Sequence, residues 1–272
     1  MNADDFGFSL GVSEGIVRAH REGIVTSTTI AANMPAAEQA VAMLRGAGEL
    51  GVGVHLNCSQ GPPLSREGEA LAGADGQMRF SAAGFLAACI VRPWMVKAAA
   101  AEWEAQIRWV LDHGVKPTHL DSHRHAHGWP PLFGRVAEMA RRYHVRFVRW
   151  YGERLSGGGW PQAPMRGRAV SWALNVLASR HAAVGCDLRA TVGTWGVAHT
   201  GRIDRAWLLR AAEAVGEGVT EIMTHPGLGE AGAGYGSRLG ESRPRELEAL
   251  CDPAVREAFE DGGIERVHYG QL

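Results

Sequence analysis

Short runs rich in β-branched residues alternate with longer amphipathic stretches, and this alternation constrains the fold more than any other feature. The runs predict strands at 24–33, 51–57, 117–122, 145–150, 219–224 and 265–269. Apolar spacing predicts helices at 11–22, 36–49, 95–113, 131–143, 168–181, 203–214 and 245–260. Strands followed by helices to the end of the chain are typical of a mostly parallel sheet with helical crossovers, either open or closed as a barrel.

The chain length favours one domain over residues 1–272, because an α/β barrel of this size needs no second core. Two segments rich in Gly and Pro, 58–80 and 151–167, predict long loops, which in compact domains are often functional. The opening MNADDFG is typical of the end of a buried strand without its apolar first half. We therefore expect either a short first strand or a start upstream of Met1.

The overall composition limits the classes of partner and the cellular location that we expect. The formal net charge of -1 leaves no surplus of basic residues to neutralise phosphates, so we expect a small or neutral substrate and no nucleic acid. No apolar run reaches the roughly 18 residues of a membrane span, and no signal peptide is evident. The cysteines have no CxxC spacing and are expected to be reduced thiols of a cytoplasmic protein. They are Cys58, Cys89, Cys186 and Cys251.

Unusual polar residues cluster where the predicted strands end. In a parallel barrel all of these ends open on one face, where active sites are built, so the side chains can converge despite their distance in sequence. The residues are Asp4, Asp5, Asn33, His55, Asn57, His123, His125, Arg149 and His225.

Two carboxylates and two histidines have the chemistry of a metal site. Neighbouring Asp4 and Asp5 point in different directions, so one can bind a metal while the other handles a proton. Two imidazoles, His55 and His123, together with Asp5 would form a common three-ligand set with an open position for water. The alternatives are an Asp pair in an ordinary turn and a hydrogen-bonded core histidine.

The stretch THLDSHRHAHGWP carries His123 at a bend, with His125 and His127 after it as possible substrate contacts. In EIMTHPG, His225 is placed either to protonate a leaving group or to cap a turn. Arg149 is placed to orient Asp4 through a charge-assisted hydrogen bond, or it is a surface residue.

Four motifs in order, NADDFG, GVGVHLN, KPTHLDSHRHAH and TEIMTHPG, run through nearly the whole chain. With these motifs the sequence resembles the YdjC-like carbohydrate deacetylase family, which includes diacetylchitooligosaccharide deacetylases and a deacetylase associated with hopanoid biosynthesis. The segment WGVAHTGRI at 195–203 is similar to the hopanoid-associated branch.

The resemblance implies a single-domain, distorted (β/α) TIM-like barrel with mostly parallel strands. It implies one divalent metal ion, magnesium or zinc, and hydrolysis of the N-acetyl group of an amino sugar, either an N-acetylglucosamine-type oligosaccharide or a glycolipid such as a glucosaminyl hopanoid. By motif, Asp5, His55 and His123 resemble the metal ligands. Asp4 would be the catalytic base and His225 the acid, although the two aspartates could exchange roles.

Further residues are predicted to contact substrate. They are Asn33, Asn57, His125, His127 and Arg149. Trp129, Trp150 and Trp160 could stack on a sugar ring or simply cover the core. A homodimer is compatible with the sequence. The competing functions are another barrel metallohydrolase, of phosphoesterase or isomerase type, and a catalytically silent sugar-binding protein.

Overall fold

The computed structural model describes residues 1–155, 160–229 and 239–272. Its strands are β1 (Asn2–Phe6), β2 (Ser27–Ile30), β3 (Gly51–Leu56), β4 (Gln60–Gly61), β5 (Met78–Arg79), β6 (His119–Ser122), β7 (Phe147–Val148), β8 (Gly193–Trp195) and β9 (Thr220–Thr224). Seven of them form the main sheet in the order β7-β6-β3-β2-β1-β9-β8. Every neighbouring pair in this sheet is parallel, whereas β4 and β5 form a separate antiparallel pair.

Helices connect the parallel strands. They are α1 (Leu10–Arg21), α2 (Ala37–Leu44), α3 (Ala82–Val91), α4 (Trp94–Asp112), α5 (Pro130–Arg142), α6 (Met165–Gly185), α7 (Arg205–Ala214), α8 (Ser242–Leu250) and α9 (Pro253–Asp261). Side-chain caps set several of their starts: Ser9 accepts from the Val12 N–H at α1, and Asp204 accepts from the Trp207 N–H at α7. Pro130, whose missing N–H costs nothing in the first turn, begins α5.

The sheet curls until its two edges meet. Thr194 Oγ1 on β8 donates to the Trp150 carbonyl oxygen just beyond β7, at 2.8 Å. The backbones come so close here that a Cβ on Gly193 would lie 2.4 Å from the Gly152 carbonyl oxygen. Only glycine permits this approach. The arrangement confirms the predicted α/β architecture, a distorted barrel with mostly parallel strands.

Several element predictions were wrong. The predicted helix 245–260 is two helices, because Asp252 ends the first and caps α9 through the Ala254 N–H. The predicted strand 265–269 is irregular and leads into a 3₁₀ turn at Tyr269–Gln271. The predicted loop 58–80 contains the short β4–β5 pair. Strands of two residues among glycines and polar residues are too short to show an alternating apolar pattern.

Two further elements were missed, α3 and the three-residue strand β8, because neither shows the apolar period of its type. Across the described ranges, no helix combines the length and the apolar character needed to cross a bilayer. The four cysteines are free thiols, as expected.

Candidate active site

The end of β1 brings two adjacent carboxylates into one buried site. In a regular strand, neighbouring side chains point to opposite faces. Asp5 instead adopts a left-handed backbone with φ of 74°, and the register with β2 shifts between Ala3 and Phe6. Aspartate tolerates this conformation better than most residues. As a result Asp4 and Asp5 are both buried, with 2% exposure each.

Asp5 lies between two histidines. Its Oδ1 is 3.4 Å from His55 Nε2 and 3.3 Å from His123 Nδ1. His55 comes from the end of β3, and His123 begins the 3₁₀ turn His123–Gly128 that follows β6. Asp5 Oδ1 is buried and makes no hydrogen bond of good geometry among the described residues, although a ring nitrogen of each histidine faces it. A buried carboxylate oxygen without a donor is costly unless a cation occupies the space beside it.

The orientation of His55 suits a metal ligand. Its Nδ1 contacts Asp121 Oδ1 at 2.7 Å, with Thr29 Oγ1 at 3.2 Å, which leaves Nε2 facing Asp5. Burial alone lowers the pKa of His55, but Asp121 and the other nearby carboxylates outweigh it and raise the pKa to about 9. The ring therefore sits in a strongly negative field, and a carboxylate behind a histidine is the usual support for a metal-bound imidazole.

Formal charges also favour a divalent cation. Four buried carboxylates line the site: Asp4, Asp5, Asp121 and Glu221. Two buried guanidinium groups oppose them, because Arg149 contacts Asp4, Asp121 and Glu221, and Arg243 contacts Asp5. With all four carboxylates ionised and the histidines neutral, as metal ligands must be, four negative and two positive charges sum to -2. One divalent ion beside Asp5 Oδ1 balances it, so the residues present fit such an ion.

A second group of possible ligands, Asp4, His55 and Asp121, also lies close together. Here the carboxylates already have partners. Arg149 donates to Asp4 and lies 2.9 Å from Asp121 Oδ2, and His55 Nδ1 contacts Asp121 Oδ1. Because this group is satisfied by hydrogen bonds and ion pairs, it needs no ion. The site around Asp5 is the better candidate.

Asp4 is held by a bidentate ion pair. Arg149 donates to its two oxygens at 2.7 and 2.6 Å, and Asn2 Nδ2 donates to Oδ1 at 2.8 Å. Burial by itself would favour the neutral acid, but Arg149 holds the pKa of Asp4 well below its usual range. Asp4 is therefore ionised, and its Oδ2 lies 4.0 Å from His225 Nε2.

His225 follows β9, and a buried glutamate of α8 fixes its backbone. Glu246 Oε1 accepts from the His225 N–H at 2.9 Å. Burial lowers the pKa of His225 to about 4, against the opposing charges of Asp4 and Asp5, and burial raises the pKa of Glu246 to about 8. His225 Nδ1 and Glu246 Oε2 both lack a hydrogen-bond partner among the described residues. The imidazole is thus neutral at pH 7.

The residues predicted to contact substrate occupy different environments. Asn33 Nδ2 and Asn57 Nδ2 both donate to the Gln60 carbonyl oxygen, so these side chains hold the segment after β3. His127 is fully buried, with Nδ1 2.6 Å from Ser122 Oγ. His125 is only partly buried and has an Nδ1 without a partner among the described residues. Of this predicted set, His125 is the most available to a ligand.

The three tryptophans that could stack on a sugar ring also differ in burial. Trp150 is buried against Phe133, and Trp160 packs edge-on against Trp195 and Trp207. Trp129 is only partly buried. Trp150 and Trp160 therefore cover the core, which was the alternative reading of the sequence.

Four residues of the site were not predicted: Asp121, Glu221, Arg243 and Glu246. Asp121 carried a signal, since it lies two residues before His123 on the same face of a strand. Glu221 lies inside β9, and the motif at the end of this strand points only to His225. Arg243 and Glu246 belong to α8, and a local pattern in a helix does not tell which side chain reaches a distant strand.

The solved structure of a protein from Enterococcus faecalis V583, provisionally described as a cellobiose-phosphate cleavage protein, is similar in fold. Its TM-score is 0.77, with 26% sequence identity, and the match covers 100% of this chain and 97% of that one.

Curated relatives are similar in sequence. A carbohydrate deacetylase from Brevibacillus brevis is 32% identical over 100% of this chain and 98% of its own length. One from Geobacillus stearothermophilus is 29% identical over 100% and 96%. The match to the Halalkalibacterium halodurans carbohydrate deacetylase is 42% identical but covers only 53% of this chain and 60% of that protein. The family model described as YdjC-like protein matches residues 1–261. The chain belongs to the YdjC-like protein family.

Proposed function

We propose that the protein is a metal-dependent carbohydrate N-deacetylase, which hydrolyses the N-acetyl group of an amino sugar to a free amine and acetate. The observation that carries the proposal is the buried Asp5 Oδ1, which makes no well-formed hydrogen bond and faces His55 and His123, with Asp4 and His225 beside it. The names of the full-length relatives support the reaction class.

Asp5, His55 and His123 are the proposed ligands of one divalent ion. Bound there, the ion would polarise the acetyl carbonyl and lower the pKa of a water molecule toward about 7. Two imidazoles favour zinc over magnesium, although ligand preference does not fix which metal is loaded. Arg243 donates to Asp5 Oδ2 at 2.5 Å, which leaves Oδ1 as the oxygen directed toward the histidines.

Asp4 is the proposed base. Its ion pair with Arg149 keeps it ionised and ready to accept a proton, and the same pair makes it a weak base, so it can act only on an acidified water. His225 Nε2, 4.0 Å away, is the proposed acid. Since His225 is neutral at pH 7, it must first take up the proton that Asp4 receives and then deliver it to the departing nitrogen.

The charge arrangement favours a neutral sugar over a phosphorylated one. Arg149 and Arg243 are both buried against carboxylates, whereas a phosphoesterase uses basic groups to clamp its substrate. The proposed substrates are N-acetylglucosamine-type oligosaccharides or a glycolipid such as a glucosaminyl hopanoid.

Acetate release tests the proposal. Protein stripped by a chelator is incubated with N-acetylglucosamine, diacetylchitobiose and an N-acetylglucosaminyl lipid, before and after addition of Zn, Mg, Mn or Co. We expect release only with metal, and loss of both metal and activity in His55→Ala and His123→Ala. Activity that survives both substitutions would disprove the ligand set. Metal binding without acetate release from any compound would favour another metallohydrolase or a silent sugar-binding protein.

A further inference from the structure

Helix α3 is apolar on all sides yet lies at the protein surface. Its sequence, AAGFLAACIV, contains no charged residue; Phe85 and Cys89 are buried in the core, and Leu86 and Ala88 are partly buried against it. On the opposite face Ile90 is 67% exposed and Val91 is 77% exposed. A helix that is apolar all round is normally buried in a protein core or in lipid, so an apolar environment is expected to cover this face.

Helix α6 has a similar outer face. Leu174, Ala178 and other inward residues pack against the protein. The side opposite them carries Met165, which is 88% exposed, and Trp172, which is 63% exposed. Val176 lies one turn after Trp172 on the same side and is also exposed. Large apolar side chains at helical spacing on the solvent side form a stripe, in contrast to scattered surface residues.

Both elements lie in sequence segments without acidic residues. Residues 81–101 contain Arg92 and Lys97, and residues 154–185 contain Arg154, Arg166, Arg168 and Arg180, but neither segment has an Asp or Glu. Elsewhere the chain is not short of acids, since it has 29 in total against 28 Lys and Arg. We call the exposed residues of 82–97 and 165–180 the basic apolar surface. Its charge is complementary to an anionic partner.

The basic apolar surface adjoins the candidate active site. Helices α3 and α6 both contact the turn His123–Gly128, which carries the proposed ligand His123. The packing is close, because a Cβ on Gly128 would lie 2.5 Å from Leu174 Cδ2 of α6. A partner on this surface would therefore lie next to the turn that carries a site residue.

We propose that the basic apolar surface docks onto a lipid bilayer with anionic headgroups. Trp, Met and aliphatic side chains enter the boundary between headgroups and acyl chains, while arginines bind lipid phosphates and keep their charge in the polar layer. A second copy of the chain fits less well, because two-fold pairing would place the arginines of one surface against those of the other. The docking is peripheral and does not depend on the proposed reaction.

Vesicle sedimentation tests the docking without turnover. Full-length protein is mixed with vesicles of phosphatidylcholine alone or with vesicles that also contain about 30% phosphatidylglycerol, which gives them a strong negative surface charge. One double variant, Ile90→Ser with Val91→Ser, removes apolar contact, and another, Arg166→Gln with Arg168→Gln, removes charge. The control Val192→Ser changes an aliphatic residue that is 49% exposed and lies beside the start of β8, outside the basic apolar surface.

We expect wild type and Val192→Ser to bind the anionic vesicles, with binding that weakens as salt rises. The arginine variant should bind roughly thirtyfold more weakly, about fivefold per arginine, and the apolar variant about tenfold more weakly. Equal binding to both vesicle types, binding to neither, or an arginine variant that binds like wild type would overturn the proposal. A dimer in solution that the Ile90→Ser, Val91→Ser variant dissociates would also overturn it and assign the surface to a second copy.

Discussion

Replacing Asp121 with asparagine changes how His55 is oriented without changing the size of the side chain. Asp121 accepts on both oxygens: Oδ1 contacts His55 Nδ1 at 2.7 Å, and Oδ2 faces Thr29 Oγ1 at 3.0 Å and Arg149 Nη1 at 2.9 Å. An amide nitrogen at the Oδ2 position would meet the guanidinium as a donor facing a donor. The asparagine is therefore expected to turn its Nδ2 toward His55.

That orientation reverses the tautomer of the histidine. With a donor opposite Nδ1, the ring keeps its proton on Nε2, the nitrogen that faces Asp5 and must be unprotonated to bind a metal. Loss of the support behind a metal-bound histidine typically costs about 10–100-fold in affinity, or about 1.4–2.7 kcal/mol. Because the change also opposes the required tautomer, we expect Asp121→Asn to fall at the upper end of this range.

Competition with a chromophoric zinc chelator measures the affinity, and acetate release at saturating zinc measures what activity returns. Thr29→Val is the matched control, since it removes the weaker hydroxyl contacts and keeps the Asp121 carboxylate beside His55. We expect the control to stay within about threefold of wild type. If Asp121→Asn binds zinc as tightly as the control does, His55 Nε2 is not a ligand and the reasoning fails.

Three other changes test separate features. Asp4→Asn should keep bound metal but lower turnover by about 10²-fold or more, measured by metal content and acetate release; lost metal would mean that the two aspartates exchange roles. Burial raises the pKa of Glu246 from 4.5 to about 8, so its contribution to the free energy of unfolding is full below pH 4.5 and falls as pH rises toward 8. In Glu246→Gln, the free energy of unfolding in urea should therefore fall less steeply between pH 4.5 and 8. A pH dependence equal to that of wild type would contradict the burial of Glu246. Gly193→Ala should lower the free energy of unfolding by about 1–3 kcal/mol, because the added Cβ meets the Gly152 carbonyl oxygen. Gly134→Ala is the control and should not destabilise α5, since the space around its Cβ is open. Equal changes in Tm for the two variants would contradict the contact between the sheet edges.

The strand-and-helix alternation predicted the parallel architecture because it depends on local patterns of apolar residues. It failed where an element was too short to show a period, as in the three-residue strand β8. It also failed where a local stop lay inside an amphipathic stretch, as at Asp252 between α8 and α9.

The sequence predicted that Asp5, His55 and His123 lie close together, because each follows a strand and the carboxyl ends of parallel strands share one face. In the structure these three side chains do lie together. The expected contact between Arg149 and Asp4 is also present. The left-handed backbone at Asp5, which directs both aspartates into one site, has no sequence signature. Arg243 reaches the same site from 238 residues further along the chain, a contact that only the folded structure specifies.

Anomalous diffraction from zinc-loaded crystals, recorded on both sides of the zinc absorption edge, tests the central claim most directly. We expect one strong peak bounded by Asp5 Oδ1, His55 Nε2 and His123 Nδ1, and its loss in His123→Ala crystals. A peak between Asp4, His55 and Asp121, or zinc-dependent activity with no peak beside Asp5, would contradict the proposed metal site.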